Sequence, residues 1–140
     1  MTYIKLSDDD RALMLQQAGL RLTRQRQALA AILFDGTHKH VTAEHVHAAA
    51  RKKRAAISLA TVYNTLHQFT SAGLLREIVI DASRIYFDTN VESHHHFFDE
   101  SNGRLTDVPA SSVAIASLPK PPSGTKIDRV DVVLRVRGKA

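Results

Sequence analysis

Histidine is the residue type through which this chain would do chemistry. Eight of its 140 residues are histidine, His94, His95 and His96 are consecutive, and there is no cysteine. Without thiolates it can form neither a disulfide nor a thiolate zinc site, so any metal ion must be held by imidazole and carboxylate groups. Three histidines in a row, taken alone, more often mark a solvated strand or turn than a ligand set. No His-Glu-x-x-His helix and no nucleophile motif accompanies them, which argues against a metallohydrolase and against an enzyme generally.

A second chemistry is electrostatic. The formal net charge is +5, and its distribution is uneven: between Leu20 and Arg76, nine Lys or Arg stand against only Asp35 and Glu44. Cationic side chains that neutralise phosphates release condensed counterions, so this footprint suits a polyanion. A solvated basic face on an unrelated helical domain would give the same count. No apolar run approaches a membrane span, and the acidic stretch from Met1 to Asp10 lacks the basic-then-apolar order of a signal peptide; a cytoplasmic location is expected.

Four helices must position these groups in the first half. Ser7 opens the first, with Asp10 at the capping-box position and Gly19 as its left-handed stop. Thr23 opens a second that ends near Phe34 and carries Leu29, Ile32 and Leu33 as a stripe. Thr42 opens a third through Val46, Ala49 and Ala50. Ser58 caps a fourth, which ends at Gly73. It places Leu59, Val62, Leu66 and Phe69 on one face and Ala60, Thr61, Asn64 and Gln68 on others. Leu74 to Ile80 and Arg84 to Phe87, separated by Asp81-Ala82-Ser83, read as a hairpin. Helices followed by a two-stranded ribbon are the order of a winged helix-turn-helix.

After about Val91 the texture changes to strand-like pieces at His94 to Phe98 and Arg104 to Val108. A segment from Ala110 to Ser117 is compatible with a helix, Pro119, Pro121 and Pro122 break it, and Lys126 to Arg137 alternates as a strand. The expected architecture is α+β, with a winged helix-turn-helix domain at 1–90 and a small α/β dimerisation domain at 91–140. Some fifty residues cannot easily bury two faces of a sheet alone, so a homodimer is expected.

The runs Gly19-Leu20-Arg21-Leu22-Thr23-Arg24-Gln25-Arg26, His40-Val41-Thr42-Ala43-Glu44 and Ser58-Leu59-Ala60-Thr61-Val62-Tyr63-Asn64-Thr65-Leu66, with Ala72-Gly73-Leu74 and the histidine cluster, resemble the ferric uptake regulator family over roughly residues 15 to 108. The resemblance implies a dimeric transcription regulator that binds partly palindromic, AT-rich operator DNA. The helix opened by Ser58 would enter the major groove, with Tyr63 meeting a thymine methyl and Thr61 and Asn64 adding polar contacts. Arg21 would reach an AT-rich minor groove, and Arg24, Arg26 and the run from Arg51 to Arg54 would contact phosphates. Tyr63 also has a plain alternative as a core residue, and the fold itself would equally serve a winged-helix module that binds protein.

For the metal, the resemblance implies an inter-domain site at His40, Asp88, His94 and His96, taking Fe, Mn or Zn. In a strand, His94 and His96 share a face and His95 points away. The chain is one residue shorter than the usual family spacing between Asp88 and the cluster. Many members carry a Cys-x-x-Cys pair after the cluster; here Asp99-Glu100-Ser101-Asn102 stands there, so no four-cysteine zinc is expected. A further family site is expected to be lost, because Ala114 occupies its helical region and no histidine follows His96. A cysteine-free, triple-histidine member most resembles the iron response regulators of rhizobia and related alphaproteobacteria. That implies haem on His94, His95 and His96, delivered by a haem-synthesis enzyme, with control of iron and haem metabolism genes.

Overall fold

The computed structural model describes residues 5–139. It has an α+β fold of two units, divided between Val91 and Glu92.

Local signals set the helices of the first unit. Helix α1 (Asp8–Gln17) opens on a capping box: the Ser7 hydroxyl accepts from the Asp10 amide, and the Asp10 carboxylate accepts from the Ser7 amide at 2.9 Å. Thr23, Thr42 and Ser58 cap α2 (Arg24–Leu33), α3 (Ala43–Lys52) and α4 (Leu59–Ser71) through their hydroxyls, Thr42 again in a reciprocal box, with His45. Each accepts an amide that the first helical turn would otherwise leave without a partner. Gly73, at φ 81°, supplies the left-handed turn that releases the chain from α4 into the sheet.

That sheet has the order β1-β3-β2, built from β1 (His40–Val41), β2 (Arg76–Asp81) and β3 (Arg84–Asp88), all antiparallel. The β2–β3 hairpin is the wing. The short β1 strand brings His40 opposite Asp88. Leu15, Leu29, Leu33, Val46, Val62, Leu66, Phe69 and Phe87 form the core that joins the helices to the sheet. At roughly 1.5–3 kcal/mol for each large apolar side chain buried, this layer holds the unit together.

The packing face of α4 differs by one residue from the sequence expectation. Val62, Leu66 and Phe69 are buried as expected, but Leu59 is 41% exposed and Thr65 is buried in its place. Leu59 is the first residue of the helix, beyond the reach of the core. Thr65 is accommodated because its hydroxyl donates to the Thr61 carbonyl at 2.8 Å, so no polar group is left unsatisfied.

The second unit is a three-stranded sheet of order β5-β4-β6. Strands β4 (His94–Asp99) and β5 (Leu105–Pro109) are an antiparallel hairpin, and β6 (Val133–Val136) runs parallel to β4. Two expectations are corrected. Residues 110–117 contain a 3₁₀ turn at Ala110–Ser112 and no α-helix. Serines and β-branched residues between prolines repay little of the cost of helix nucleation, and most of the segment is exposed. The last strand is also much shorter than Lys126 to Arg137, because β4 offers hydrogen-bonding partners only along its own six residues. Among the described residues, no helix is long and apolar enough to cross a membrane.

Unequal costs are expected along α4. Phe69→Ala should lower the unfolding free energy by about 3–5 kcal/mol, and Leu59→Ala by less than about 0.5 kcal/mol, as read from denaturant curves. A large loss at Leu59 would contradict the observed packing.

Candidate metal centre and nucleic-acid interface

The hairpin of the second unit assembles three ligand-bearing side chains. Its register places His96 directly opposite Asp107 and His94 opposite Pro109. His94 and His96 lie two residues apart on one face, with their rings 4.5 Å apart. Both direct Nε2 at one carboxylate oxygen: Asp107 Oδ1 is 3.3 Å from His94 Nε2 and 3.5 Å from His96 Nε2. Donors bound to one ion at about 2.0–2.2 Å stand roughly 3–3.5 Å apart, so this group needs little rearrangement to hold a metal.

His94 is oriented for the task. Its Nδ1 lies 2.6 Å from the Glu92 carbonyl oxygen. A carbonyl can only accept, so Nδ1 carries a proton, which makes Nε2, directed at Asp107, the nitrogen available to a metal. Both histidines are nearly buried, whereas the Asp107 side chain is 41% exposed and leaves the centre open on that side. His95 faces elsewhere. Its Nδ1 accepts from the Val132 amide at 3.2 Å, which fixes the edge of β6.

The first unit contributes a pair of its own. Asp88 is fully buried in the central strand β3, with His40 and Arg76 opposite it on the two flanking strands. Its Oδ2 lies 3.1 Å from His40 Nε2, and its Oδ1 accepts from the Asn90 amide at 2.9 Å. Of these five groups, Asp107 is the one that sequence reasoning missed. Counting the register outward from the turn at residues 100–103 would have found it, since Phe98 opposite Leu105 puts Asp107 across from His96.

The α4 helix displays a different surface. Tyr63 is 38% exposed, so it is not a core residue. Its ring meets the edge of His67 at 4.6 Å and that of Phe87 at 6.5 Å between centroids, which holds it on the surface at a defined angle. With Glu44, Leu59, Ala60 and Asn64 it lines a shallow, mainly apolar depression. Ser58 and Thr61 are committed to each other: the Ser58 hydroxyl donates to Thr61 Oγ1 at 2.9 Å and accepts the Thr61 amide at 3.1 Å. Arg21 and Arg24 are exposed. Arg26 is engaged within the unit, donating to the Arg21 carbonyl at 2.8 Å and to Gln68 Oε1 at 3.1 Å.

The tip of the wing has the opposite character. Hydrogen bonds from the Arg84 guanidinium and then from Ser83 hold the Asp81 carboxyl well below the usual carboxylate range. Paired with Arg84, that carboxylate leaves the tip no net positive charge, and the exposed cationic face of the unit draws on Arg21, Arg24 and the run from Arg51 to Arg54.

The sequence pattern of the ferric uptake regulator family matches residues 17–132. The chain belongs to that family. Over 93 residues it is 38% identical to the peroxide-responsive repressor PerR of Staphylococcus epidermidis, an alignment that takes in 66% of this chain and 61% of that relative. The chain thus matches less than two thirds of the relative's length. Among solved structures, the ferric uptake regulator of Pseudomonas aeruginosa with manganese is 26% identical, with a TM-score of 0.70 over 93% of this chain and 98% of that one. The Vibrio cholerae ferric uptake regulator, 20% identical, shares the fold at a TM-score of 0.71 over 92% and 100%. This chain contains no cysteine, so the candidate centre is built from imidazole and carboxylate groups alone.

Replacing Asp107 with Ala or His96 with Ala is expected to weaken Mn²⁺ or Zn²⁺ binding at least 10–100-fold by calorimetry. His95→Gln, which retains an acceptor for the Val132 amide, should change it little. Equal losses at all three positions would contradict the division of roles seen here.

Proposed function

We propose that this chain is a metal-responsive, DNA-binding transcription regulator that acts as a homodimer and is not an enzyme. The observation that carries this reading is the division of α4: Val62, Thr65, Leu66 and Phe69 are buried while Tyr63 and Asn64 are offered to solvent, in the unit that also carries exposed Arg21 and Arg24. A helix so divided is fitted to lie in a major groove, with Tyr63 against a thymine methyl and Asn64 toward base edges. Arg21 is fitted to a narrow AT-rich minor groove and Arg24 to phosphate. Ser58 and Thr61 act chiefly by forming the start of this helix, given their mutual hydrogen bonds.

A divalent ion, Fe, Mn or Zn, is the signal we assign to His94, His96 and Asp107. Two imidazoles and a carboxylate are a mixed nitrogen and oxygen donor set suited to such ions. His40 and Asp88 retain their proposed roles as ligands on their chemistry and on the family resemblance. Bound metal would supply a fixed point for several side chains at once, and so favour one population of the protein over another. The relative named above is a peroxide-responsive repressor, which is why peroxide enters the test below. Dimerisation is supported by the thin core of the second unit, where Phe98, Leu105 and Val108 are buried but Phe97, Leu134 and Val136 remain substantially exposed.

Haem is the rival signal, through His94, His95 and His96 as axial ligands, with the iron response regulators as its model. His94 and His96 already converge on Asp107, and His95 is tied to the Val132 amide, which favours the metal reading.

The deciding experiment titrates metal-stripped protein with Mn²⁺, Fe²⁺, Zn²⁺ and haem, with and without peroxide, while measuring its binding to AT-rich palindromic duplexes. Tightening by a divalent ion, lost on Tyr63→Ala or Arg21→Ala and weakening steeply with salt, is the expected result. A Soret shift with release of DNA would favour haem instead. Salt-insensitive binding to a protein, with indifference to every duplex, would defeat the DNA reading.

A further inference from the structure

Arg26 is unusual among the arginines of the cationic face because its guanidinium is spent inside the unit. Arg26 lies in the first turn of α2, where its amide donates to the Thr23 cap at 3.1 Å. From there the side chain turns back across the helix end. One terminal nitrogen, Nη1, donates to the main-chain carbonyl of Arg21 at 2.8 Å. The other, Nη2, donates to Gln68 Oε1 in the last turns of α4 at 3.1 Å. A guanidinium is planar and rigid, so two bonds made by one fork fix an angle as well as a distance. The two residues it joins are 47 positions apart in the chain and belong to the two parts that would read different grooves.

We infer that Arg26 is a positioning residue: with Gln68 as its partner, it ties the backbone of Arg21 to the helix that carries Tyr63, and thereby sets the minor-groove arginine at a fixed offset from the major-groove helix. This inference rests on the DNA-binding reading above and deepens it. The geometry of duplex DNA fixes the path from a major-groove base edge to the adjacent minor groove. An arginine held at that offset contributes sequence preference, whereas one on a loose loop contributes mainly charge. Arg26 therefore acts on which sequence is preferred, in place of the phosphate contact expected from its charge alone. Gln68, neutral and exposed, carries half of the same task.

The test uses the full-length protein, loaded with Mn²⁺, and a duplex enriched by the wild-type chain from a random library. A second duplex of the same sequence carries 2-aminoadenine in place of adenine in the segment flanking the major-groove contacts. The added amino group obstructs the minor groove and leaves the major-groove edge unchanged. Wild-type protein is expected to bind the modified duplex about tenfold more weakly, on the scale of one mismatched base pair. Gln68→Ala should bind the natural duplex several-fold more weakly, be nearly indifferent to the modification, keep the wild-type salt slope, since no cation is removed, and unfold at the wild-type temperature. Gln68→Glu, which keeps the acceptor oxygen, should retain the sensitivity to 2-aminoadenine whatever its charge does to overall affinity. Arg26→Ala should match Gln68→Ala in sensitivity, and the double variant should be no worse than either single one in this respect.

The tie is overturned if Gln68→Ala discriminates between the two duplexes like the wild type, while Arg26→Ala weakens both equally and reduces the salt slope by about one, the signature of a lost phosphate contact. A wild-type chain that enriches no duplex, or an Arg21→Ala variant that still discriminates, overturns the groove reading itself and this inference with it.

Discussion

Everything at the candidate metal centre depends on the register between β4 and β5. Side chains alternate across a strand, so a slip of one residue would turn His94 and His96 away from Asp107 and bring His95 and Phe97 to that face. The register is held by buried pairs on both faces of the hairpin: Phe98 opposite Leu105 on the face of His94 and His96, and His95 opposite Val108 on the other. It is also held at its turn, where the Asp99 amide donates to the Arg104 carbonyl and Gly103, at φ 72°, takes a conformation that a side chain would resist. Ordinary sheet packing thus aligns three polar groups that would otherwise repel one another or seek water. With a metal bound, the same alignment would no longer oppose their burial.

Much of the first unit is legible in the sequence because its determinants are local. Ser7, Thr23, Thr42 and Ser58 each announce a helix three residues before its first capped amide, and Gly19 and Gly73 announce the ends. What the chain hides is what depends on distant residues. Leu59 has the right period for a core residue and is exposed because nothing packs over the first residue of α4. Ala110 to Ser117 has a composition compatible with a helix but lacks a surface that would repay folding into one. Arg26 looks like a phosphate ligand by type, and only the arrival of Gln68, 42 positions on, gives its guanidinium another use. Asp107 was missed for a related reason: a carboxylate on a partner strand is invisible until the pairing is fixed.

The first unit also separates charge by element. The wing ends in a carboxylate kept ionised by Arg84 and Ser83. The cationic groups lie instead before and within the early turns of α2 and at the end of α3, where Arg51 and Lys52 also favour the negative end of the helix. Placement therefore matters more than the modest total.

The three consecutive histidines are chemically identical in the sequence and different in the fold. One presents a tautomer fixed by a main-chain oxygen, one completes the pair, and the middle one closes a sheet edge by accepting an amide proton. Over evolutionary time such a tract should drift at unequal speeds. Its centre can be exchanged for any side chain with an acceptor at the same height, whereas its flanks would be bound to imidazole by an ion held there.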